Sequence, residues 1–296
     1  MSQISVNVVA PLGYTGSTLT GDNNYVQIVD ASGNPVFKSS QIGNTLVGEE
    51  SLSSLTSGAN NTGVGASSLK ICTTGGNNSS FGHSSMANVT SGGLNTAIGS
   101  GSMSDSATGN GNSALGTNSL ALCISGDFNT AVGYNAGVSA TGSNNVYIGY
   151  AAAQLQTVGN NNITIGNNAA NATNTSSNQI TLGNSSNNIL RCAVTSITSL
   201  SDARDKSNVE DSAYGLELVK SLRPVTFEWD TRDGAKKGVK DLGFIAQELQ
   251  SVDNEHLGLV YDENPDKLEA TYGRLIPVLV KAIQELTAKV EALEAK

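Results

Sequence analysis

A serine and a lysine, Ser201 and Lys206, stand five positions apart in a short segment that also holds Asp202, Arg204 and Asp205. A serine hydroxyl is a weak nucleophile and needs a base to remove its proton. A lysine amine can be that base only when it is neutral, which requires burial. The same residues would also suit a solvated charge run before a helix, with Asp205 or Ser207 as N-cap. The spacing alone leaves both interpretations open.

Other residues that could support catalysis or metal binding are sparse between positions 41 and 190. The charged side chains and the histidine of that stretch are Glu49, Glu50, Lys70, His83, Asp105 and Asp127. Glycoside hydrolysis needs two carboxylates at a set separation, whereas neighbours in a strand point to opposite faces. The histidine has no second ligand nearby in sequence. We therefore predict that this stretch is no enzyme, and that the chain has no metal site and needs no cofactor.

The same stretch is periodic. Pentads that begin with Asn or Gln and end in glycine recur, and their glycines are 17 residues apart except for one step of 16. These glycines are Gly48, Gly65, Gly82, Gly99, Gly116, Gly133, Gly149, Gly166 and Gly183. A second series keeps the same spacing and the same deletion: Gly58, Gly75, Gly92, Gly109, Gly126, Gly142 and Gly159. Two markers in phase indicate a repeated structural unit.

Seventeen residues are too few for a helical repeat of about 33. They suffice for a short strand, a turn, a second strand and another turn. Thr96, Ala97 and Ile98 alternate as in a half-buried strand, and the following glycine accepts a positive φ at the turn. Stacked units would form a β-solenoid, in which nine rungs at about 4.8 Å extend roughly 43 Å.

The pentads resemble the head repeats of trimeric adhesins, whose units have the form N-S-x-A-I-G. The resemblance covers residues 43–190 and implies a trimeric β-roll, although the adhesin repeats are usually shorter. The many asparagines could bind a sugar or form a solvated ladder, and the ladder is the simpler interpretation. Cys72 and Cys123 hold equivalent positions three rungs apart, about 14 Å, too far for a disulfide. With Cys192, we predict three unpaired thiols.

Charge returns near Leu190, and residues 191–296 are predicted to form an α+β unit. Its predicted elements are a helix within 214–222, strands at 225–229 and 242–245, a short helix at 246–250 and a long helix at 275–296. The long helix has Ile276, Ile283 and Val290 at heptad positions a, and Leu279, Leu286 and Leu293 at d. This pattern formally favours two-stranded coiled coils, and a plain core helix is the other interpretation.

Four blocks of this unit resemble, in the same order, the intramolecular chaperones of phage tailspikes and fibres, peptidase family S74. They are SDARDK at 201–206, LRPVTFEW at 222–229, GFIAQEL at 243–249 and YGRLIP at 272–277. The resemblance implies a homotrimer that cleaves itself between Leu200 and Ser201, with Ser201 and Lys206 as the catalytic dyad. Such an enzyme acts at most once, as a single-turnover serine endopeptidase. Asp202 and Arg204 are expected to have an orienting or a structural role rather than a catalytic one.

Together the resemblances predict a mainly β fibre or appendage protein of a virion, made in the host cytoplasm. Residues 1–42, with a predicted hairpin of strands at 25–29 and 36–37, would attach to a phage tail or baseplate protein. The β-roll at 43–190 would contact a host cell-surface glycan or protein, and residues 191–296 would be the chaperone. The alternatives are a cellular trimeric adhesin and an uncleaved fibre that keeps the chaperone as a permanent cap.

Composition excludes other classes. A net charge of −9 disfavours nucleic-acid binding, because phosphate contacts need clustered Lys and Arg. The sequence contains no stretch of about 18 apolar residues, so we predict no insertion into a membrane. The first residues lack the basic and apolar regions of a signal peptide, which a cellular adhesin would need.

Overall fold

The computed structural model describes residues 20–22, 25–29, 35–39, 43–187, 189–191 and 201–296. The chain divides into two compact units, Met1–Asn184 and Ser185–Lys296. The fold is mainly β, as predicted, with a solenoid followed by a unit that ends in a long helix. Among the described residues, no helix combines the length and apolar character that crossing a bilayer requires.

The first unit is a single sheet of twelve strands that lie in chain order. β1 (Thr20–Asp22), β2 (Tyr25–Val29) and β3 (Pro35–Ser39) pair antiparallel, so the two strands of the predicted hairpin are present. Its loop, 30–34, lies outside the described residues. β3 also pairs antiparallel with β4 (Thr45–Val47), the first strand of the repeats.

From β4 onward the strands are parallel and form the predicted solenoid. They are β5 (Thr62–Val64), β6 (Ser79–Phe81), β7 (Thr96–Ile98), β8 (Ser113–Leu115), β9 (Thr130–Val132), β10 (Val146–Ile148), β11 (Ile163–Ile165) and β12 (Ile180–Leu182). Each strand residue faces its counterpart in the next rung. The 16-residue step keeps this register, with Thr130 opposite Val146, so the turns absorb the deletion.

The expected second strand of each rung is absent from residues 43–187, where everything outside the three-residue strands is turn or irregular chain. The turns hydrogen-bond along the solenoid axis instead. Leu69 N–H donates to Ser85 O at 3.0 Å, and Met86 N–H donates to Ser102 O at 2.9 Å. Both donors have a φ of 51°. Because these left-handed turns already satisfy the backbone between rungs, a second extended segment is not needed.

Two structural constraints account for the repeated glycines, and only one of them applies to both series. Gly99, in the pentad series, has a φ of 137°, and a Cβ placed there would lie 2.5 Å from the carbonyl oxygen of Gly116. Gly92, in the second series, has no such φ, yet its Cβ would lie 2.4 Å from Gly109 O. Positive φ explains only the first series, and close contact between successive rungs explains both.

The pentad asparagines form a buried ladder along the solenoid. Asn95 donates from Nδ2 to Gly109 O at 2.8 Å, and its Oδ1 accepts the backbone N–H of Asn112 at 2.9 Å. Asn61, Asn78, Asn129, Asn145 and Asn162 make equivalent contacts. The solvated-ladder interpretation is therefore wrong for these positions, and they are not available to a sugar. Buried amides with both groups paired hold each rung to the next.

The solenoid core is built from two rows of side chains that complement each other in size. Four successive rungs have a small residue at the strand centre (Gly63, Ser80, Ala97 and Ala114) and a large one four positions after the pentad glycine (Leu69, Met86, Met103 and Leu120). The sizes are reversed at one place, where Tyr147 is the strand centre of its rung and Gly137, four positions after the pentad glycine of the preceding rung, lies against it. A Cβ on Gly137 would lie 2.3 Å from Tyr147 Cδ2, so the buried ring fills the space of the missing side chain.

Combining Tyr147→Ala with Gly137→Leu should restore the size pattern of the preceding rungs, whereas either substitution alone should not. Tyr147→Ala should lower the free energy of unfolding by about 3–5 kcal/mol, as for other large aromatic side chains. Gly137→Leu alone should also destabilise, because it meets the Tyr147 ring. The double variant should recover most of the loss, since Leu69 adopts a φ of 51° at the equivalent position. Chemical denaturation of all four proteins tests this, and additive losses would contradict it.

The second unit contains α1 (Leu216–Ser221), the antiparallel pair β13 (Val225–Asp230) and β14 (Lys237–Gly243), α2 (Ala246–Gln250), the pair β15 (Val260–Tyr261) and β16 (Glu269–Ala270), and α3 (Leu275–Glu294). The helix at 246–250 and the strand at 225–229 are confirmed. The strand predicted at 242–245 is displaced, because the chain after Gly243 leads into α2. The core joins Leu249, Leu257, Leu259, Leu275 and Val278.

Helix α3 uses only one face for this core. Leu275, Val278 and Ala282 are buried. All six heptad residues, Ile276, Leu279, Ile283, Leu286, Val290 and Leu293, are exposed, with Ile283 at 63%. The predicted a/d stripe therefore does not pack on the chain's own domain. Val280 is also exposed.

Candidate active site

A short 3-10 helix, Ala203–Asp205, separates Ser201 from Lys206. Its N-cap is Asp202, whose Oδ1 accepts the backbone N–H of Arg204 at 2.9 Å. Lys206 N–H then closes the turn on Ala203 O at 3.2 Å. The suggestion that Asp205 or Ser207 caps a following helix is wrong, because the chain is extended at Lys206, with φ −124° and ψ 141°.

The turn brings the two candidate dyad residues into contact. Lys206 Nζ lies 2.6 Å from Ser201 Oγ and 3.2 Å from Ser201 O. A base must lie within about 2.6–3.2 Å of the proton that it removes, and this contact meets that requirement. A charged amine donates to the hydroxyl, whereas catalysis needs a neutral amine that accepts the hydroxyl proton. Leu200, which would contribute the cleaved carbonyl, lies outside the described residues.

Arg204 folds back onto Asp202. Its Nε lies 3.0 Å from Oδ1 and 3.2 Å from Oδ2, and its Nη2 lies 2.6 Å from Oδ2. These side-chain hydrogen bonds, with the backbone bond from Arg204, lower the pKa of Asp202, and they raise the pKa of Arg204. Both carboxylate oxygens of Asp202 are therefore engaged within the turn.

The whole segment from Ser201 to Ala213 is exposed in the single chain. A lysine amine surrounded by water keeps its proton, because hydration favours the charged form. The site therefore has the contact that a Ser–Lys dyad needs, but it lacks a low-dielectric environment. Something outside the described single chain would have to supply that environment.

The other three blocks of the second unit contact one another. Arg223 pairs with Glu248, with Nε 3.1 Å from Oε2 and a second contact from Nη2 to Oε1. The hydrogen bond from Arg223 lowers the pKa of Glu248. Tyr272 Oη accepts Phe244 N–H at 3.2 Å, and a Cβ on Gly243 would lie 2.5 Å from that oxygen. Residues far apart in sequence thus hold one framework together.

Helix α1 is fixed to α3 in a similar way. Glu285 Oε2 accepts the backbone N–H of Leu216 at 2.8 Å, so a carboxylate from α3 caps the start of α1. Gly215 lies beneath it, because a Cβ there would lie 2.7 Å from Glu285 Oε1. No local sequence pattern predicts this role, because Leu216 and Glu285 are 69 positions apart.

The remaining candidate residues are not gathered into a second site. Lys70 pairs with Glu50 at 2.6 Å, and its hydrogen bond lowers the pKa of Glu50, while His83 is exposed. No group of three or more metal-ligating side chains occurs among the described residues. Cys72 and Cys123 are free and buried, and burial raises the pKa of Cys123 to about 11. Cys192 lies outside the described residues.

Comparison with known protein families bears on this segment directly. Residues 201–258 match the peptidase S74 family, described as the chaperone of endosialidase. The match begins at Ser201 and includes the SDARDK, LRPVTFEW and GFIAQEL blocks, while the YGRLIP block lies beyond it. No curated protein and no solved structure matches the chain significantly. An S74-type intramolecular chaperone segment therefore follows a β-solenoid stem, an arrangement that indicates a trimerisation chaperone of a fibre-like protein.

Proposed function

We propose that this chain is the subunit of a homotrimeric fibre whose C-terminal unit guides assembly and then cuts itself from the stem between Leu200 and Ser201. The contact of Lys206 Nζ with Ser201 Oγ, in a fully exposed segment, carries the proposal. The two side chains are already in contact in one chain, while the exposed segment lacks the burial that a neutral amine needs. Burial of the segment by neighbouring chains would favour the neutral amine, which then activates Ser201.

The exposed stripe of α3 supports association of the second unit. Six apolar side chains at a and d positions face water over three heptads, while the opposite face packs in the domain core. An a/d stripe of this kind is buried when helices form a coiled coil. The S74 match favours three chains over the two that the residue pattern alone would suggest.

The stem presents a second surface for the same contact. The third residue of every parallel strand is apolar, and none of the nine is buried: Val47, Val64, Phe81, Ile98, Leu115, Val132, Ile148, Ile165 and Leu182. At about 4.8 Å per rung, eight steps make a row of roughly 38 Å. A continuous exposed apolar row is typical of an interface, and burial against two other stems would remove it from water.

The proposal extends to the biological setting of the fibre. We propose a virion appendage that is made in the host cytoplasm, attached to the tail or baseplate through its N-terminal segment and directed at a host cell-surface glycan or protein. The similarity of the C-terminal blocks to phage fibre chaperones supports this setting. Because the pentad asparagines are buried, other residues of the stem would have to make any contact with the host.

The association state gives the first test. Ser201→Ala full-length protein, which keeps stem and chaperone joined, should have three times the mass of one chain by light scattering. The mass should hold on dilution into the nanomolar range, because both the stem and α3 contribute interface. A stable mass of one or two chains would contradict the trimer.

A further inference from the structure

We propose that Arg204 is a positioning residue of the Ser201–Lys206 dyad, because its guanidinium occupies the Asp202 carboxylate and so keeps that carboxylate from pairing with the Lys206 amine. This inference rests on the proposed self-cleavage. It assigns to Arg204 an electrostatic task that is separate from folding the turn.

The turn places two groups, the Asp202 carboxylate and Ser201 Oγ, where they could compete for the Lys206 amine, and Arg204 prevents this competition. Asp202 must stay as the N-cap, since its Oδ1 accepts Arg204 N–H at 2.9 Å. That leaves a carboxylate on the residue directly after Ser201, whose Oγ lies 2.6 Å from the Lys206 amine. An ion pair with Asp202 would hold the amine in its charged form and draw it from Ser201 Oγ.

The observed contacts show how this competition is avoided. Arg204 makes three side-chain contacts to the two oxygens of Asp202, at 2.6, 3.0 and 3.2 Å. Lys206 Nζ is directed instead to Ser201 Oγ at 2.6 Å. A guanidinium suits this task, because it is planar, stays charged and can bind both oxygens at once. Asp205 is the remaining charged side chain of the turn, and it is exposed.

The test compares cleavage against pH in four full-length proteins: wild type, Arg204→Gln, Arg204→Lys and the double variant Asp202→Asn/Arg204→Gln. Chains isolated uncleaved in denaturant are diluted into buffers across the pH range, and cleavage is measured per assembled trimer. The double variant is the matched control, because asparagine can still cap the turn but carries no charge.

Arg204→Gln should cleave about tenfold more slowly at neutral pH and should reach half of its maximal rate at a higher pH. The double variant should return the pH profile toward that of wild type, and Arg204→Lys should lie between them. An Arg204→Gln profile equal to wild type would overturn the proposal. So would a loss at every pH that the double variant does not rescue, which would mark Arg204 as merely structural. If wild type assembles without cleaving, the proposed function itself fails, and this inference fails with it.

Discussion

Gly99→Ala should destabilise the stem by about 2–6 kcal/mol. About 1–3 kcal/mol comes from placing a side chain on a backbone with a φ of 137°, which glycine alone adopts readily. A further 1–3 kcal/mol, roughly, comes from overpacking, because the new Cβ would lie 2.5 Å from Gly116 O and 2.6 Å from Gly116 C. Both contacts are with backbone of the next rung, which cannot rotate away as a side chain can.

Gly101→Ala is the matched control in the same rung. Gly101 has a φ of 64°, and its closest neighbour is the side-chain oxygen of Asn118 rather than backbone. The equivalent position of another rung is Ala151, which has a φ of 51°. Thermal unfolding followed by far-UV circular dichroism should show a large loss for Gly99→Ala and a smaller one, about 1 kcal/mol, for Gly101→Ala. Equal melting of both variants would show that rung contact is not what requires the pentad glycine.

Ile283→Asp should abolish trimerisation of the second unit and lower self-cleavage at least tenfold. Ile283 lies in the middle of the exposed a/d stripe, where three chains would bring three carboxylates together in an apolar seam. The single-chain fold should survive, because the residue faces away from Leu275, Val278 and Ala282. Loss of the seam would leave the Ser201–Lys206 segment exposed, as it is in the single chain.

Gln284→Asp introduces the same charge one residue along α3, outside the a/d stripe, and should assemble and cleave like wild type. Circular dichroism of both variants checks that α3 remains helical. Sedimentation velocity and a denaturing gel then report assembly and cleavage on the same samples. Cleavage by Ile283→Asp at the wild-type rate would show that the a/d stripe of α3 is not an oligomer seam.

The stem was readable from the sequence because its information is local and repeated. The 17-residue spacing of Gly48, Gly65 and Gly82 gave the solenoid and its parallel register without any long-range contact. The direction of the asparagines was not readable. Asn95 looks like a turn residue, and only the closed rung shows that its amide bridges Gly109 and Asn112 inside the core. The predicted second strand of each rung was wrong because left-handed turns at Leu69 and Met86 form the backbone hydrogen bonds between rungs. The sequence pattern does not indicate these turns.

The two residues of the candidate site could be predicted from the sequence, but the contacts that bring them together could not. The resemblance to the S74 family singles out Ser201 and Lys206, while the residue that caps the turn between them is Asp202, whose side chain accepts a hydrogen bond from Arg204 N–H. The engagement of Asp202 by Arg204 depends on one side-chain orientation that no pattern encodes. The cap of α1 by Glu285 and the contact of Gly243 with Tyr272 join distant segments, and such pairings follow from the closed fold alone.

The most direct test of assembly-controlled self-cleavage is the intact mass of the expressed full-length protein beside Ser201→Ala and Lys206→Ala. Wild type should give a product that ends at Leu200 and a second that begins at Ser201, found in the trimeric fraction, while both variants stay at full length and still form trimers. A wild-type trimer that remains uncut would contradict the account and would make the C-terminal unit a permanent cap. Cutting at the same bond in Ser201→Ala would contradict the dyad itself.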